Sequence, residues 1–278
     1  MIFNKVCELE DFRQGELQQT MLKWFGERFS SVQGWPEGSE DRKVWEICMT
    51  LLACETLVPE SSRNMALGVG AGIEATSFAL TNIFRWVFAI DRYGAKQWAS
   101  DAPGGMLVQP AAYASSVACN PKRLVVQHMD ARELRFDDAS FDFIYSSSSI
   151  EHFGTLAEIR QAVREMGRVL KPEGIMSFST ELRIGGESQW LNESTYLFSA
   201  EDLLAILVES SGCEMVGEYS FVPSPITKRK TTRNEDAVRD VSRCRDRLDV
   251  KWSTYPHVVL ELGELAWTSV QLTLRKLA

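Results

Sequence analysis

Leu67-Gly68-Val69-Gly70-Ala71-Gly72 stands between a short apolar run at 65–67 and a helical pattern near 73–81. Three glycines at a strand-to-helix step let the backbone approach a ligand and leave helix N-terminal amides free to meet it. A glycine-rich turn of this kind also serves simply to join a strand to a helix. Outward from this turn, apolar runs at 86–90, 124–127, 141–145, 175–180 and 215–221 alternate with helical patterns near 156–170 and 200–211. Strands alternating with helices of that length mean βαβ units, so the fold class is α/β with a doubly wound, mostly parallel sheet. In such a sheet the glycine turn lies at the carboxyl ends of the strands, where nucleotide-like ligands bind. Asp91, nineteen residues beyond Gly72, ends the next strand at the place of a ribose-binding carboxylate. Together these features favour an adenosine-type ligand.

The flanking regions read differently. Leu17, Met21, Leu22, Trp24, Phe25 and Phe29 recur at helical spacing, and Gly34-Trp35-Pro36-Glu37-Gly38 breaks that helix. Ser39 is the expected N-cap of a second amphipathic helix running to about residue 57. The expected division is an N-terminal helical cap over 1–61 and a main domain over 62–278. Two lid-type insertions interrupt the main domain: the Pro- and Gly-containing segment 92–122 and the charge-rich segment 223–256. Within 228–251 nine Lys and Arg face five acids, a mixture that suits a solvated helix better than a nucleic-acid surface.

Composition narrows the function classes. Of 278 residues 45% are apolar and 24% charged, with 38 acidic against 30 basic side chains and a net charge of −8. That balance fits a soluble globular protein and argues against a main role in gripping phosphate backbones. Six scattered cysteines, with no CxxC pair, read as reduced thiols. The first residues lack a signal-peptide pattern and no window approaches a membrane span, so the expected location is cytoplasmic, without membrane or nucleic-acid partners.

The spacing of Gly68, Gly70 and Gly72 is G-x-G-x-G, with Ile73 where a dinucleotide fingerprint has its third glycine. On this motif the chain resembles the seven-stranded class I S-adenosylmethionine-dependent methyltransferases, of the methyltransferase type 11 kind. Further segments match in order: Met129-Asp130-Ala131 after the third strand, Phe141-Asp142-Phe143-Ile144-Tyr145 leading into Glu151-His152-Phe153, and Arg168-Val169-Leu170-Lys171-Pro172-Glu173-Gly174. Glu173 stands where the family more often has Gly. Phe198-Ser199-Ala200 resembles the start of the last helix, Gly212-Cys213-Glu214 the turn into the sixth strand, and 269–274 the seventh, antiparallel strand. One departure is Ala66, where the family carries an acid that helps to hold the methionine end of the cofactor.

The resemblance implies S-adenosyl-L-methionine as cofactor, with Gly68, Gly70 and Gly72 cradling it, Asp91 and Arg92 at the ribose, Met129, Asp130 and Ala131 at the adenine, and Ser146 beside it. Methyl transfer from a sulfonium is an in-line displacement that needs an aligned acceptor and, for a hydroxyl, a base. His152 is the candidate base with Glu151 as its neighbour, although the same histidine suits a cap of the helix starting near Thr155. Ubiquinone-pathway O-methyltransferases carry Glu-x-x-Glu-His here, but Ser148 replaces the first Glu, so no metal site is expected. Trp98, Tyr113, Trp190 and Tyr196 are candidates for an acceptor pocket, and Trp252 and Tyr255 fall in similar segments. The expected activity is methyl transfer to a small-molecule hydroxyl, a saccharide or natural product. The alternatives are a non-catalytic binding protein of the same fold, suggested by Ala66, and a nicotinamide-dependent oxidoreductase, disfavoured by the glycine spacing. Oligomeric state is left open.

Overall fold

The structure, a computed structural model, describes residues 2–30, 34–96, 101–114, 117–242 and 256–278. In chain order the strands are β1 (Asn4–Val6), β2 (Met65–Val69), β3 (Trp86–Asp91), β4 (Leu124–His128), β5 (Phe141–Ser147), β6 (Leu170–Arg183), β7 (Gln189–Asn192), β8 (Thr195–Leu197), β9 (Glu214–Met215), β10 (Tyr219–Ser220), β11 (Thr231–Arg233), β12 (Val259–Leu262) and β13 (Leu265–Arg275). The principal helices are α1 (Gly15–Ser30), α2 (Arg42–Leu57), α3 (Ala75–Leu80) and α4 (Leu156–Val169), followed by a helical stretch over 200–211 whose middle, Leu203–Val208, is π-helical.

β4, β3, β2, β5 and β6 lie side by side and parallel, and β13 joins the edge antiparallel to β6, from Trp267 opposite Arg183 to Arg275 opposite Ile175. β9 pairs with β13. These seven form the doubly wound sheet that the alternation of runs implies. The described sheet has eleven strands rather than seven, because β1 and β10 extend it beyond β13, and β12 with β11 adds a further ladder. β1 was missed among the N-terminal helices because three residues carry no periodicity. The run at 215–221 is not one strand but two short ones, broken at Gly217 with φ +74°. Part of the segment 223–256 is therefore sheet, while 243–255, with Trp252 and Tyr255, lies outside the described residues.

Successive side chains of the central strands feed two cores, as strands covered on both faces require. Ala66, Phe143, Tyr145 and Ile175 pack with α1, α2 and α3, whereas Leu67, Val69, Ile144 and Met176 pack with α4 and the 200–211 helix. α4 begins with a capping box in which Thr155 and Glu158 satisfy each other's backbone amides. The N-cap of α2 is Asp41, not Ser39: its carboxylate accepts the Lys43 amide at 2.9 Å.

α2 is held to the sheet by buried charge. Arg42 donates to both Glu181 oxygens at 2.7 and 2.6 Å and to the Ser269 hydroxyl at 2.9 Å. Lys43 reaches Glu181 at 2.9 Å and Glu46 at 3.0 Å, and the Ser179 hydroxyl donates to Glu46 at 2.9 Å. Burial opposes ionisation of Glu181, but Arg42 and Lys43 outweigh it and hold the carboxyl down to about 2. The sign follows: stability from this depressed group is complete above the unfolded carboxyl pKa of about 4.3 and is lost as the pH falls toward 2. Arg42→Met strands two buried carboxylates with one cation, and urea melts at pH 7 are expected to show a loss of about 3–5 kcal/mol.

An irregularity in β6, between Leu170 and Ile175, explains one sequence oddity. Glu173 has φ +63°, the left-handed region in which glycine is at ease. Glu173→Gly is therefore expected to stabilise the fold by up to about 1 kcal/mol in the same melts, the relieved strain exceeding the added chain entropy.

Candidate active site

The chain passes from β2 outward through β3 to β4 and then returns to β5 on the other side of β2. This reversal leaves a crevice at the carboxyl ends of β2 and β5, the place where open α/β sheets bind ligands. A cavity of about 540 Å³ opens there. Gly70 and Gly72 line it, with φ of +64° and +48°. A methyl group on Gly70 would meet Ser149 Cβ at 2.6 Å, and one on Gly72 would meet the Asp101 carbonyl oxygen at 2.6 Å. Both glycines are thus required by backbone conformation and by close approach.

Asp91 ends β3 with its carboxylate at the cavity wall, accepting the Gly72 amide at 2.9 Å and the Arg92 amide at 2.6 Å. Burial raises its pKa, and these two amides oppose the rise. Met129, Asp130 and Ala131 follow β4 along the next part of the wall. Arg132 grips Asp130 through Nε at 2.9 Å and Nη2 at 2.6 Å, and also pairs with Glu158. These hydrogen bonds, against partial burial, hold the Asp130 carboxyl below its usual range.

His152 lines the opposite side, where a short turn (Ile150–His152) follows β5. Its Nδ1 is 2.6 Å from the Ser194 carbonyl. A carbonyl only accepts, so Nδ1 carries a proton, and in the neutral ring the lone pair is then on Nε2. Ser194 belongs to the hairpin of β7 and β8, which also brings Glu193 and Trp190 to the cavity. The Trp190 indole is 42% exposed and rests edge-on against Tyr196, ring centres 5.0 Å apart.

Several expected site residues lie off the cavity. Gly68 is inside β2, where a Cβ would strike the Tyr145 hydroxyl at 2.5 Å, so its glycine serves packing. Ser146 is buried within β5, which runs two residues further than its apolar pattern, and Ser148 and Ser149 line the wall instead. Glu151 is buried behind His152 and accepts the Thr180 hydroxyl at 2.8 Å; burial raises its pKa, opposed by His152. Tyr196 is buried among Trp190 and Phe198. Tyr113 packs on the α1–α3 core, over Gly105. Trp98 lies outside the described residues. Conversely, Arg132 sits two residues past the acidic turn and had a local signal, whereas Glu193 and Ser194 had none. Among the described residues no cluster of His, Cys, Asp or Glu is arranged for a metal ion, and no helix is long and apolar enough to cross a membrane.

Residues 66–178 match a family model described as a methyltransferase domain. Solved structures share the fold. A putative sarcosine dimethylglycine methyltransferase from Galdieria sulphuraria is 16% identical, with a TM-score of 0.53 over 99% of this chain and 93% of that one. The [4+2]-cyclase SpnF is 19% identical, with a TM-score of 0.52 over 84% and 81%. A geranyl diphosphate methyltransferase solved with geranyl diphosphate and sinefungin is 12% identical, with a TM-score of 0.51 over 82% and 76%. Residues 66–178 are thus a methyltransferase domain, on the class I fold of the S-adenosylmethionine-dependent enzymes.

The cofactor of that class is S-adenosylmethionine, and the cavity suits it: two left-handed glycines leave the backbone bare, Asp91 offers acceptors at one end, and Asp130 at the other. Gly72→Ala forces a side chain onto a main-chain oxygen in a left-handed conformation. Calorimetry with S-adenosylhomocysteine is expected to show its affinity reduced by about ten-fold or more, the equivalent of one lost charged hydrogen bond.

Proposed function

We propose that the protein is an S-adenosylmethionine-dependent methyltransferase acting on a hydroxyl oxygen of a small molecule, a saccharide or natural product. The observation that carries this reading is His152 at the cavity wall, its Nδ1–H fixed on the Ser194 carbonyl at 2.6 Å. S-adenosylmethionine supplies a methyl group on a sulfonium, an electrophile that needs no further activation. Gly70, Gly72, Asp91 and Asp130 hold it along one wall, and His152 stands on the facing wall. His152 Nε2 takes the proton of the acceptor hydroxyl. Glu151, whose Oε1 is 3.9 Å from Nε2, favours the imidazolium so formed. Exposed Trp190 offers an apolar face at the rim for a sugar ring or an aromatic acceptor. The helices of 1–61 form a cap on this site, through α2.

The fold alone does not fix this chemistry, since one protein of similar fold is named a cyclase. His152→Ala decides it. The substitution is expected to lower kcat by about 10²–10⁴-fold, the usual contribution of a general base, while S-adenosylhomocysteine still binds. Full turnover by the variant at every pH sinks the base assignment. Absence of any affinity for S-adenosylmethionine or S-adenosylhomocysteine in the native protein favours the non-catalytic alternative.

A further inference from the structure

The hairpin of β7 and β8 stands apart from the main sheet as a two-stranded ribbon. Its base is tied down: Arg183 donates to the Gln189 side-chain oxygen at 2.7 Å, and the Ser188 hydroxyl accepts the Ser199 amide at 2.6 Å. Its tip is a two-residue loop, Glu193-Ser194, between the paired residues Asn192 and Thr195. Loops of this length usually take primed turns, whose positive φ matches the twist of the strands, whereas other turns splay them. Neither Glu193 nor Ser194 has a positive φ, and the ladder is irregular between Trp190 and Asn192. A ribbon of two short strands is marginal by itself, so the tip needs a local hold. Asn192 supplies it. Its side-chain oxygen accepts the Ser194 amide at 2.8 Å and the Ser194 hydroxyl at 3.0 Å. An asparagine that receives the backbone two residues on closes a turn without help from the strand ladder. The same Ser194 presents its carbonyl to His152 Nδ1 at 2.6 Å.

We infer that Asn192, an exposed residue, is a positioning residue for His152, a role that rests on the methyltransferase reading above and on His152 as its base. Asn192 acts through one atom, the Ser194 carbonyl oxygen. Which imidazole nitrogen is protonated is set by the hydrogen bond that the other one makes. With the carbonyl aimed at Nδ1, the neutral ring is held as the Nδ1–H form and Nε2 is free to take a proton. A histidine side chain in water exchanges between both tautomers, and the Nε2–H form has no lone pair at Nε2 to receive one. Without the Asn192 oxygen the Ser194 amide and hydroxyl lose their acceptor, the tip loosens, and the carbonyl no longer selects one tautomer.

Long-range proton–nitrogen NMR correlation reads the tautomer directly. The chain has three histidines, His128, His152 and His257, and His152→Ala identifies the signals of its own ring. His128, whose Nδ1 is 2.9 Å from the Tyr93 carbonyl, is a control of the same kind away from the hairpin. Spectra are taken at about pH 9, where imidazoles are neutral. In the native protein the two His152 nitrogens are expected to be well separated, Nε2 at the shift of an unprotonated nitrogen and Nδ1 at that of a protonated one. In Asn192→Ala they are expected to move towards each other, the average of two exchanging tautomers, while His128 stays as it was and S-adenosylhomocysteine binds with native affinity. Asn192→Asp, which keeps a side-chain oxygen for the Ser194 amide, is expected to restore the separation. Native separation in Asn192→Ala, or its equal loss in Asn192→Asp, overturns the positioning role and leaves the methyltransferase reading intact. Failure of S-adenosylmethionine and S-adenosylhomocysteine to bind the native protein overturns that reading and the positioning role together.

Discussion

The contact between Arg42 and Glu181 is the constraint on which the site depends. A charge taken out of water must stay next to its partner, because separating the two leaves each one buried and unpaired. Arg42 begins α2 and Glu181 stands near the end of β6, so this requirement fixes a helix from the first sixty residues across the sheet. Ser269 of β13 and Ser179 of β6 extend the network to both antiparallel partners. Lys43 then lies against Ser148, a residue of the cavity wall.

The cleft itself follows from sheet topology. Parallel strands end together, and the reversal between β2 and β5 parts the two connecting segments so that a crevice remains. The glycine turn is held there by β3: the Ile90 carbonyl accepts the Ala71 N–H and the Asp91 carboxylate the Gly72 N–H. The turn is therefore shaped by a side chain from the next strand as much as by its own glycines.

Additions to this frame also reach the cavity. The β7–β8 hairpin is outside the main sheet, yet its Ser194 carbonyl sets the tautomer of His152 and its Trp190 forms part of the rim. One small element thus both orients the imidazole and contributes to the rim of the cavity. Proteins of similar fold include a cyclase and methyltransferases of unlike substrates, as expected where the sheet is shared and the additions differ.

The sequence by itself determined the parallel sheet, the glycine turn, Asp91 and the Met129–Ala131 wall, because each depends on local spacing: apolar runs of strand length, glycines that adopt φ near +50° to +65° at least cost, and an acid at a strand end. It also placed His152 at the cleft, since the position follows directly from the end of β5. Gly68 and Ser146 look like neighbouring members of the same motifs, and only the pleat of the strands turned them inward, onto Tyr145 and into the sheet. Nothing local marked β1, whose three residues gain their partners from β10 and β13 more than two hundred positions away. The same holds for Arg42 with Glu181, for Lys43 with Ser148 and for His152 with Ser194. Tertiary structure decided these pairs because hydrogen bonds and buried charges are satisfied by whatever packing brings near, and that proximity is a property of the folded sheet rather than of spacing along the chain.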